Sequence, residues 1–139
     1  MTTTATRYGM TTTVDGLFDE TVDSVKQVFK EHGFGTLSEI DVRATLREKT
    51  GEEIEPYMIL GMCNPELALR AIKAEHEIGL LLPCNVLVYE CGGTVHVSAQ
   101  DPILMLDLAR NDALRPIAEE AKRRIHAALS EIGSPPATA

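Results

Sequence analysis

The sequence predicts a single α+β domain in which a mostly antiparallel sheet is covered by helices. Short runs rich in β-branched residues alternate with segments whose apolar residues recur at helical spacing. Gly92-Gly93 separates two strand-like runs, and this pair is typical of a tight hairpin because primed turns need positive φ. The predicted order of elements is β-α-β-α-β-α-β-β-α-α, which suits helices packed on an antiparallel sheet.

The length of 139 residues fits one domain with one core, and no repeat or linker divides it. We expect residues 1–7 to be a flexible N-terminus, residues 8–132 to form the domain, and residues 133–139 to be a disordered tail. The threonine-rich N-terminus lacks the basic and apolar segments of a signal peptide. The apolar run from Ile78 to Leu82 is far too short to span a bilayer.

The first half of the chain predicts three strands and three helices. Asp41 and Asn64-Pro65 are typical helix starts, with a capping side chain and, in the second case, proline at the first helical position. The predicted strands are Tyr8 to Val14, Phe34 to Ile40 and Tyr57 to Cys63, and the predicted helices are Leu17 to His32, Val42 to Lys49 and Asn64 to about His76.

The second half is organised around a strand from Cys84 to Glu90. Apolar residues occupy both alternating sets of positions in this strand, so both faces are expected to be covered and the strand to be central. The next strand, Thr94 to Gln100, alternates polar and apolar residues and pairs with it through the hairpin. Asp101-Pro102 opens a short helix, and a long helix runs from about residues 112–116 to Ile132.

The charge balance makes nucleic acid and membranes poor partners. The chain has 13 basic and 21 acidic residues, a net charge of −8, and no cluster of lysine and arginine. An acidic surface repels phosphate backbones and anionic lipid. The three cysteines are an odd number without the spacing of a disulfide scaffold, which favours a reducing cytoplasm.

Two cysteines are the first candidates for chemistry. Cys63 ends a predicted strand immediately before a helix start, where free N–H groups and the helix dipole can lower the pKa of a thiol. The alternative is a small apolar side chain that closes the strand. Cys84 begins the next strand, so the two thiols could approach and then form a disulfide, share a metal or merely pack. Their spacing is not that of a zinc site.

Each of these cysteines is followed by an asparagine. Asn64 could present its amide to a ligand, but helix capping explains it more simply. Asn85 is harder to explain, because asparagine is unfavourable in strands. It would satisfy irregular backbone after Pro83 or face a pocket.

Two carboxylates complete the candidate site. Asp41 could act as a general base, although its position is that of an N-cap. Glu90 ends the predicted central strand, beside a cleft or simply in solvent. The sequence contains none of the glycine-rich, nucleophile-elbow or metalloprotease signatures, so no cofactor and no metal are expected.

Several stretches resemble the uncharacterised family catalogued as domain of unknown function 302. The likeness covers roughly Gly9 to Leu129. It implies a fold similar to the TATA-binding-protein type, with a curved antiparallel sheet, a long C-terminal helix and a homodimer. It implies no activity, and a shared fold does not imply DNA binding. The stretches are Phe34-Gly35 to Glu39-Ile40-Asp41, Tyr57 to Cys63-Asn64-Pro65, Leu81-Leu82-Pro83-Cys84-Asn85-Val86 and Asp101-Pro102.

Two functional hypotheses follow from these observations. The first is a cytoplasmic homodimer that binds a small molecule or a partner without catalysis, in a pocket near Cys63, Asn64, Cys84 and Asn85. The second is a protein of redox, sulfur or metal chemistry that uses Cys63 and Cys84. The first requires a concave pocket near those residues, and the second requires accessible, reactive thiols.

Overall fold

The computed structural model describes residues 3–133 and confirms the predicted α+β class. The strands are β1 (Thr4–Ala5), β2 (Gly9–Val14), β3 (Gly35–Asp41), β4 (Tyr57–Cys63), β5 (Cys84–Cys91) and β6 (Thr94–Gln100). The helices are α1 (Phe18–Glu31), α2 (Val42–Thr50), α3 (Pro65–Ala74), α4 (Pro102–Ala109) and α5 (Arg115–Ile132), with 3₁₀ helices at His76–Leu81 and Asp112–Leu114.

The six strands form one sheet in the order β1-β2-β6-β5-β4-β3, and every pairing in it is antiparallel. β5 lies inside the sheet, as its apolar sequence predicts. β3 is an edge strand and carries a bulge: Thr36 pairs with Met62 and Ser38 with Gly61, so that Leu37 is the extra residue.

The main core lies between one face of the sheet and the helices α1 and α5. Alternate residues of the four longer inner strands point to this face, as expected from a period of two. The apolar stripes of the two helices cover them. The fully buried side chains include Val25 and Phe29 of α1, Leu60 and Met62 of β4, Val86 and Val88 of β5, Val95 and Val97 of β6, and Ile125 and Leu129 of α5.

The opposite face of the sheet is less covered than the sequence predicts. Leu87 and Tyr89 of β5 are only half-buried there, whereas Val86 and Val88 are fully buried. Tyr89 stacks between Tyr57 and His96, with ring centroids 5.7 and 4.9 Å apart. Such cross-strand pairs bury much of one another's surface. An apolar sequence on both faces of β5 therefore reflects packing within the sheet as much as coverage by helices.

A second hydrophobic cluster lies beside the sheet, among α3, α4, α5 and the 3₁₀ helices. Its buried members are Ala71, Ile78, Leu106, Leu114 and Ala118. The predicted end of α3 near His76 is wrong by two residues. Glu75 leaves the helical region with φ −155°, and the chain continues as the 3₁₀ helix His76–Leu81 and a cis Leu82–Pro83 bond.

The predicted turn and cap residues behave as expected. Asp41, Asn64 and Asp101 each accept a backbone N–H bond at the start of α2, α3 and α4. Gly92 and Gly93 both have positive φ in the β5–β6 hairpin.

The N-terminal stretch contains a short strand. Thr4 and Ala5 pair with Thr11 and Met10 at the edge of the sheet. Residues 1–2 and 134–139, which include most of the predicted tail, lie outside the described residues. Within residues 3–133, no helix is long and apolar enough to cross a membrane.

Candidate functional site

A cavity of about 380 Å³ lies between the strand ends at one end of the sheet and the second hydrophobic cluster. Its walls come from strand ends and from the helices α3, α4 and α5. The residues that line it are Leu37, Met62, Cys63, Asn64, Leu67, Ala68, Ala71, Ile72, Ile78, Gly79, Leu81, Leu82, Pro83, Cys84, Pro102, Leu106, Leu114, Ile117, Ala118 and Ala121.

Small residues explain why this space is not filled. α3 presents Ala68 and Ala71 to the cavity, and α5 presents Ala118 and Ala121. Their side chains end at Cβ, so two packed helices leave a gap that leucines at the same positions would occupy. The sequence shows these alanines only as part of apolar stripes, which are equally typical of a closed core.

The cavity has an open side. Half of its lining residues are buried, but Leu37 on β3 is 68% exposed and Ile72 on α3 is 39% exposed. Gly79 of the 3₁₀ helix is also exposed. These residues therefore mark the mouth, and the buried residues of α4 and α5 mark the inner end.

Both candidate thiols lie on the wall of this cavity. β4 ends at Cys63 and β5 begins at Cys84. Because the two strands are antiparallel neighbours, both residues lie at the same end of the strands. Burial raises the pKa of Cys84 to about 11, with a further contribution from the nearby Cys63. Burial also raises the pKa of Cys63. Both thiols are therefore protonated at neutral pH.

The expectation that the start of α3 lowers the pKa of Cys63 is wrong. The helix begins at Pro65, and the Asn64 side chain already accepts the N–H of Leu67, over 3.0 Å. Desolvation of Cys63 then outweighs the helix dipole.

Asn64 itself is one of three buried polar residues among those described, and it lines the cavity. Its Oδ1 is used in capping α3, which confirms the simpler of its two predicted roles. It positions the end of β4 and the start of α3, and thus the wall that carries Cys63.

The other three candidate residues do not line the cavity. Asn85 is exposed opposite Gly61, and its backbone N–H donates to Gln100 Oε1 over 3.4 Å. Asp41 caps α2 by accepting the Ala44 N–H over 2.9 Å. Glu90 lies at the far end of β5, opposite Val95. The sequence places Asp41 and Glu90 at strand ends but does not show at which end of the sheet each lies. Asn85 lies at the same strand end as Cys84 but, one position further on, points to the opposite face.

The wall next to the thiols is held in place by a close contact. A Cβ on Gly61 would lie 3.0 Å from Pro83 Cγ and closer still to Ser38 Oγ. Glycine at this position lets the Leu82-Pro83 segment, which forms part of the cavity wall, lie directly against β4.

The chemistry of the lining is apolar. Among the described residues that line the cavity, the polar side-chain groups are the two thiols and the amide of Asn64, and no side chain carries a charge. In the described part of the chain, no group of three or more histidine, cysteine, aspartate or glutamate side chains is arranged to hold a metal. The arrangement is suited to enclosing an apolar molecule.

Comparisons with known proteins agree with the resemblance found in the sequence. A family model described as domain of unknown function DUF302 matches residues 10–132. The crystal structure of an uncharacterised conserved DUF302 protein from Bacillus stearothermophilus is similar, with 29% identity and a TM-score of 0.86 over 91% of this chain and 99% of that chain. No curated protein matches the sequence significantly. The likeness to the TATA-binding-protein fold stays a prediction.

Proposed function

This chain belongs to the family of domain of unknown function DUF302, and we propose that it binds a small apolar molecule in the cavity beside Cys63 and Cys84. The observation that carries the proposal is the cavity itself, about 380 Å³ of space with an uncharged lining. Ligand sites of drug-sized molecules occupy roughly 300–1,000 Å³ and are lined mainly by apolar side chains. This cavity lies at the lower end of that range.

Water is a poor occupant for this space. A buried water molecule needs two to four polar partners, roughly, and apolar cavities without them stay dry. The Oδ1 of Asn64 already accepts the Leu67 N–H, which leaves its NH2 group and the two thiols as the polar side-chain groups of the lining. An apolar ligand would replace missing van der Waals contacts without losing hydrogen bonds.

The proposal also includes the cellular compartment and the oligomeric state. Three free cysteines persist most readily in a reducing compartment such as the cytoplasm. We include the homodimer that the family resemblance implies. The half-buried face of the sheet offers a surface for it, which carries Ile59, Leu87 and the stacked rings of Tyr57, Tyr89 and His96. Analytical ultracentrifugation tests the assembly separately from ligand binding.

Binding is tested with N-phenyl-1-naphthylamine, a neutral apolar dye whose fluorescence rises in apolar surroundings. We expect saturable binding to the natural chain. Ala118→Leu should weaken this binding by about tenfold or more, since the new side chain occupies the cavity. Ala127→Leu is the matched control, because Ala127 lies on the same helix but faces solvent. Equal binding by both variants would place the dye elsewhere and contradict the proposal.

Thiol chemistry is the second candidate function, and one observation favours it: Cys63 and Cys84 line the same cavity. The raised pKa of each thiol acts against it, because the thiolate is the reactive form. Mass spectrometry after mild oxidation tests this candidate. A disulfide that joins Cys63 to Cys84 and is lost in Cys63→Ser would support it, and unmodified thiols would contradict it.

A further inference from the structure

The amide of Asn64 has a buried donor group that the chain does not use. Asn64 is 7% exposed, and its Oδ1 accepts the Leu67 N–H over 3.0 Å. Because only the oxygen of an amide can accept this bond, the cap fixes which way the amide is turned. Within residues 3–133, the Nδ2 group donates a hydrogen bond to no described atom. A buried donor without an acceptor is unfavourable, which points to an acceptor from outside the chain.

A second donor lies close to the Asn64 Nδ2 group. The position that a Cβ would take on Gly33 is 2.9 Å from Asn64 Nδ2 and 3.1 Å from Arg124 Nη1. The two nitrogens are therefore no more than about 6 Å apart. Hydrogen bonds of about 2.9 Å from each nitrogen can meet on one acceptor oxygen, or on the two oxygens of one carboxylate. Because Gly33 has no side chain, no Cβ separates the two donors.

The charges around these two donors favour an anion. Arg124 Nη2 donates to Glu120 Oε2 over 2.8 Å, and Arg70 Nη1 donates to Glu120 Oε1 over 3.3 Å. Two guanidinium groups therefore share one carboxylate, and this group of three side chains keeps one positive charge in excess. The carboxylate of Glu131 is paired with His32, over 3.1 Å. Arg124 Nη1 takes part in neither of the bonds to Glu120, so it is left for an acceptor from outside the chain.

Asn64 connects these donors to the cavity. It lines the cavity, as do Leu67 on α3 and Ala121 on α5. Arg124 does not line it, but Arg124 follows Ala121 by three residues, so the two lie on the same side of α5. α3 begins directly after Asn64, and the positive end of its dipole lies at the same place. The polar group of a ligand in the cavity would therefore meet both donors at the Asn64 wall.

We propose that the ligand is an apolar monocarboxylate, whose apolar body occupies the cavity and whose carboxylate accepts hydrogen bonds from Asn64 Nδ2 and Arg124 Nη1. This inference rests on the proposed function and adds one polar group to the ligand. The other polar side-chain groups of the described lining are the thiols of Cys63 and Cys84, which are weak hydrogen-bond donors. The rest of the ligand is therefore apolar.

The test compares a carboxylate with a neutral compound of nearly the same shape. Biphenyl-4-carboxylate and 4-acetylbiphenyl differ in one position, where a carboxylate oxygen is replaced by a methyl group. Each compound displaces N-phenyl-1-naphthylamine from the protein at pH 7, and the displacement curves give the two affinities. The quantity that tests the proposal is the ratio of the carboxylate affinity to the ketone affinity, compared between the natural chain and its variants.

Arg124→Gln removes the charge and the Nη1 donor, while Arg70 still pairs with Glu120. We expect the affinity for biphenyl-4-carboxylate to fall about tenfold and that for 4-acetylbiphenyl to change less than about twofold. Arg123→Gln is the matched control, because Arg123 is the neighbouring, exposed arginine of the same helix and its removal changes the net charge equally. An equal loss in both variants, or no loss in Arg124→Gln, would overturn the proposal.

Asn64→Ser tests the other donor. Serine also caps helices through its side-chain oxygen, so α3 should still begin at the same residue, but the Nδ2 group is gone. We expect the ratio of the two affinities to fall about tenfold here as well. Circular dichroism of Asn64→Ser and Arg124→Gln shows whether each remains folded. An unchanged ratio in folded Asn64→Ser would exclude the amide from the site and overturn the proposal.

Ala118→Leu separates this inference from the proposed function. If Ala118→Leu weakens dye binding but the affinity ratio depends on neither Arg124 nor Asn64, the carboxylate is wrong and the binding function stands. If the dye binds equally well to Ala118→Leu and to the natural chain, the binding function is wrong. Biphenyl-4-carboxylate itself should bind Ala118→Leu about tenfold more weakly, because its rings need the space that the leucine fills. Unchanged binding of the carboxylate would place it outside the cavity and overturn the inference.

Discussion

Cys84 pairs directly with Met62 across β4 and β5, and Cys63 follows Met62, so the two cavity thiols are one register step apart. Met62 belongs to the main core and also lines the cavity, as both cysteines do. The thiols are therefore part of a wall between a closed core and an open space. Their reactivity and their effect on stability both report on that wall.

The first prediction concerns thiol reactivity. At pH 8, we expect iodoacetamide to modify Cys84 about 100-fold more slowly than an unperturbed thiol, because its pKa of about 11 leaves little thiolate. Cys63 should also be slowed, and exposed Cys91 should react fastest. Peptide mass spectrometry over a time course measures all three rates. A Cys84 rate equal to that of Cys91 would contradict the buried position.

The second prediction concerns stability at high pH. The folded state raises the pKa of Cys84 from its ordinary value to about 11 and so keeps a proton that the unfolded chain has lost. The stability contribution is fully present below about pH 9 and is lost as pH rises through 11. The loss from this group should approach about 2–3 kcal/mol.

Urea unfolding from pH 8 to 11 measures this loss. Cys84→Ala should show a flatter decline than the natural chain, because it removes the titrating group. Cys91→Ala removes an exposed thiol and should leave the decline unchanged. Identical slopes for the natural chain and Cys84→Ala would show that the thiol does not titrate in the folded state as described.

Local sequence signals predict most of the fold. Asn64-Pro65 begins α3 and Gly92-Gly93 forms the β5–β6 hairpin, because capping and positive φ are properties of single residues and their neighbours. The observed limits of β4, Tyr57–Cys63, are those that the sequence predicts. These features need no knowledge of tertiary structure.

The candidate site is only partly predictable. Cys63, Asn64 and Cys84 all line the cavity, and each lies at a strand end next to a proline-marked boundary that the sequence shows. Asn85 differs from Cys84 by one position and therefore points to the opposite face of the sheet. Ala118 is not recognisable as a cavity residue, because an alanine on an apolar stripe fits a closed core equally well.

The third prediction concerns Gly61. Gly61→Ala should destabilise the protein by about 1–3 kcal/mol, because the new Cβ would lie 3.0 Å from Pro83 Cγ and close to Ser38 Oγ. The double variant with Ser38→Ala should recover only part of the loss, since the proline ring remains. Gly35→Ala on β3 is the matched control, because a Cβ there meets nothing within 4 Å. Chemical denaturation measures each variant, and full recovery in the double variant would exclude the contact with Pro83.

The fourth prediction compares positions on α5 that face the cavity, the main core and solvent. Ala118→Leu should raise the free energy of unfolding by about 1 kcal/mol, because it adds apolar contacts where the structure has room. Ala128→Leu makes the same chemical change further along α5, at a residue that is fully buried in the main core. There it should destabilise by about 1–3 kcal/mol, because a close-packed core cannot accept the added atoms. Ala127→Leu, on the solvent side, should change stability by less than about 0.5 kcal/mol. Urea denaturation of the three variants gives the comparison, and a loss at Ala118 as large as that at Ala128 would mean that the cavity is closed in solution.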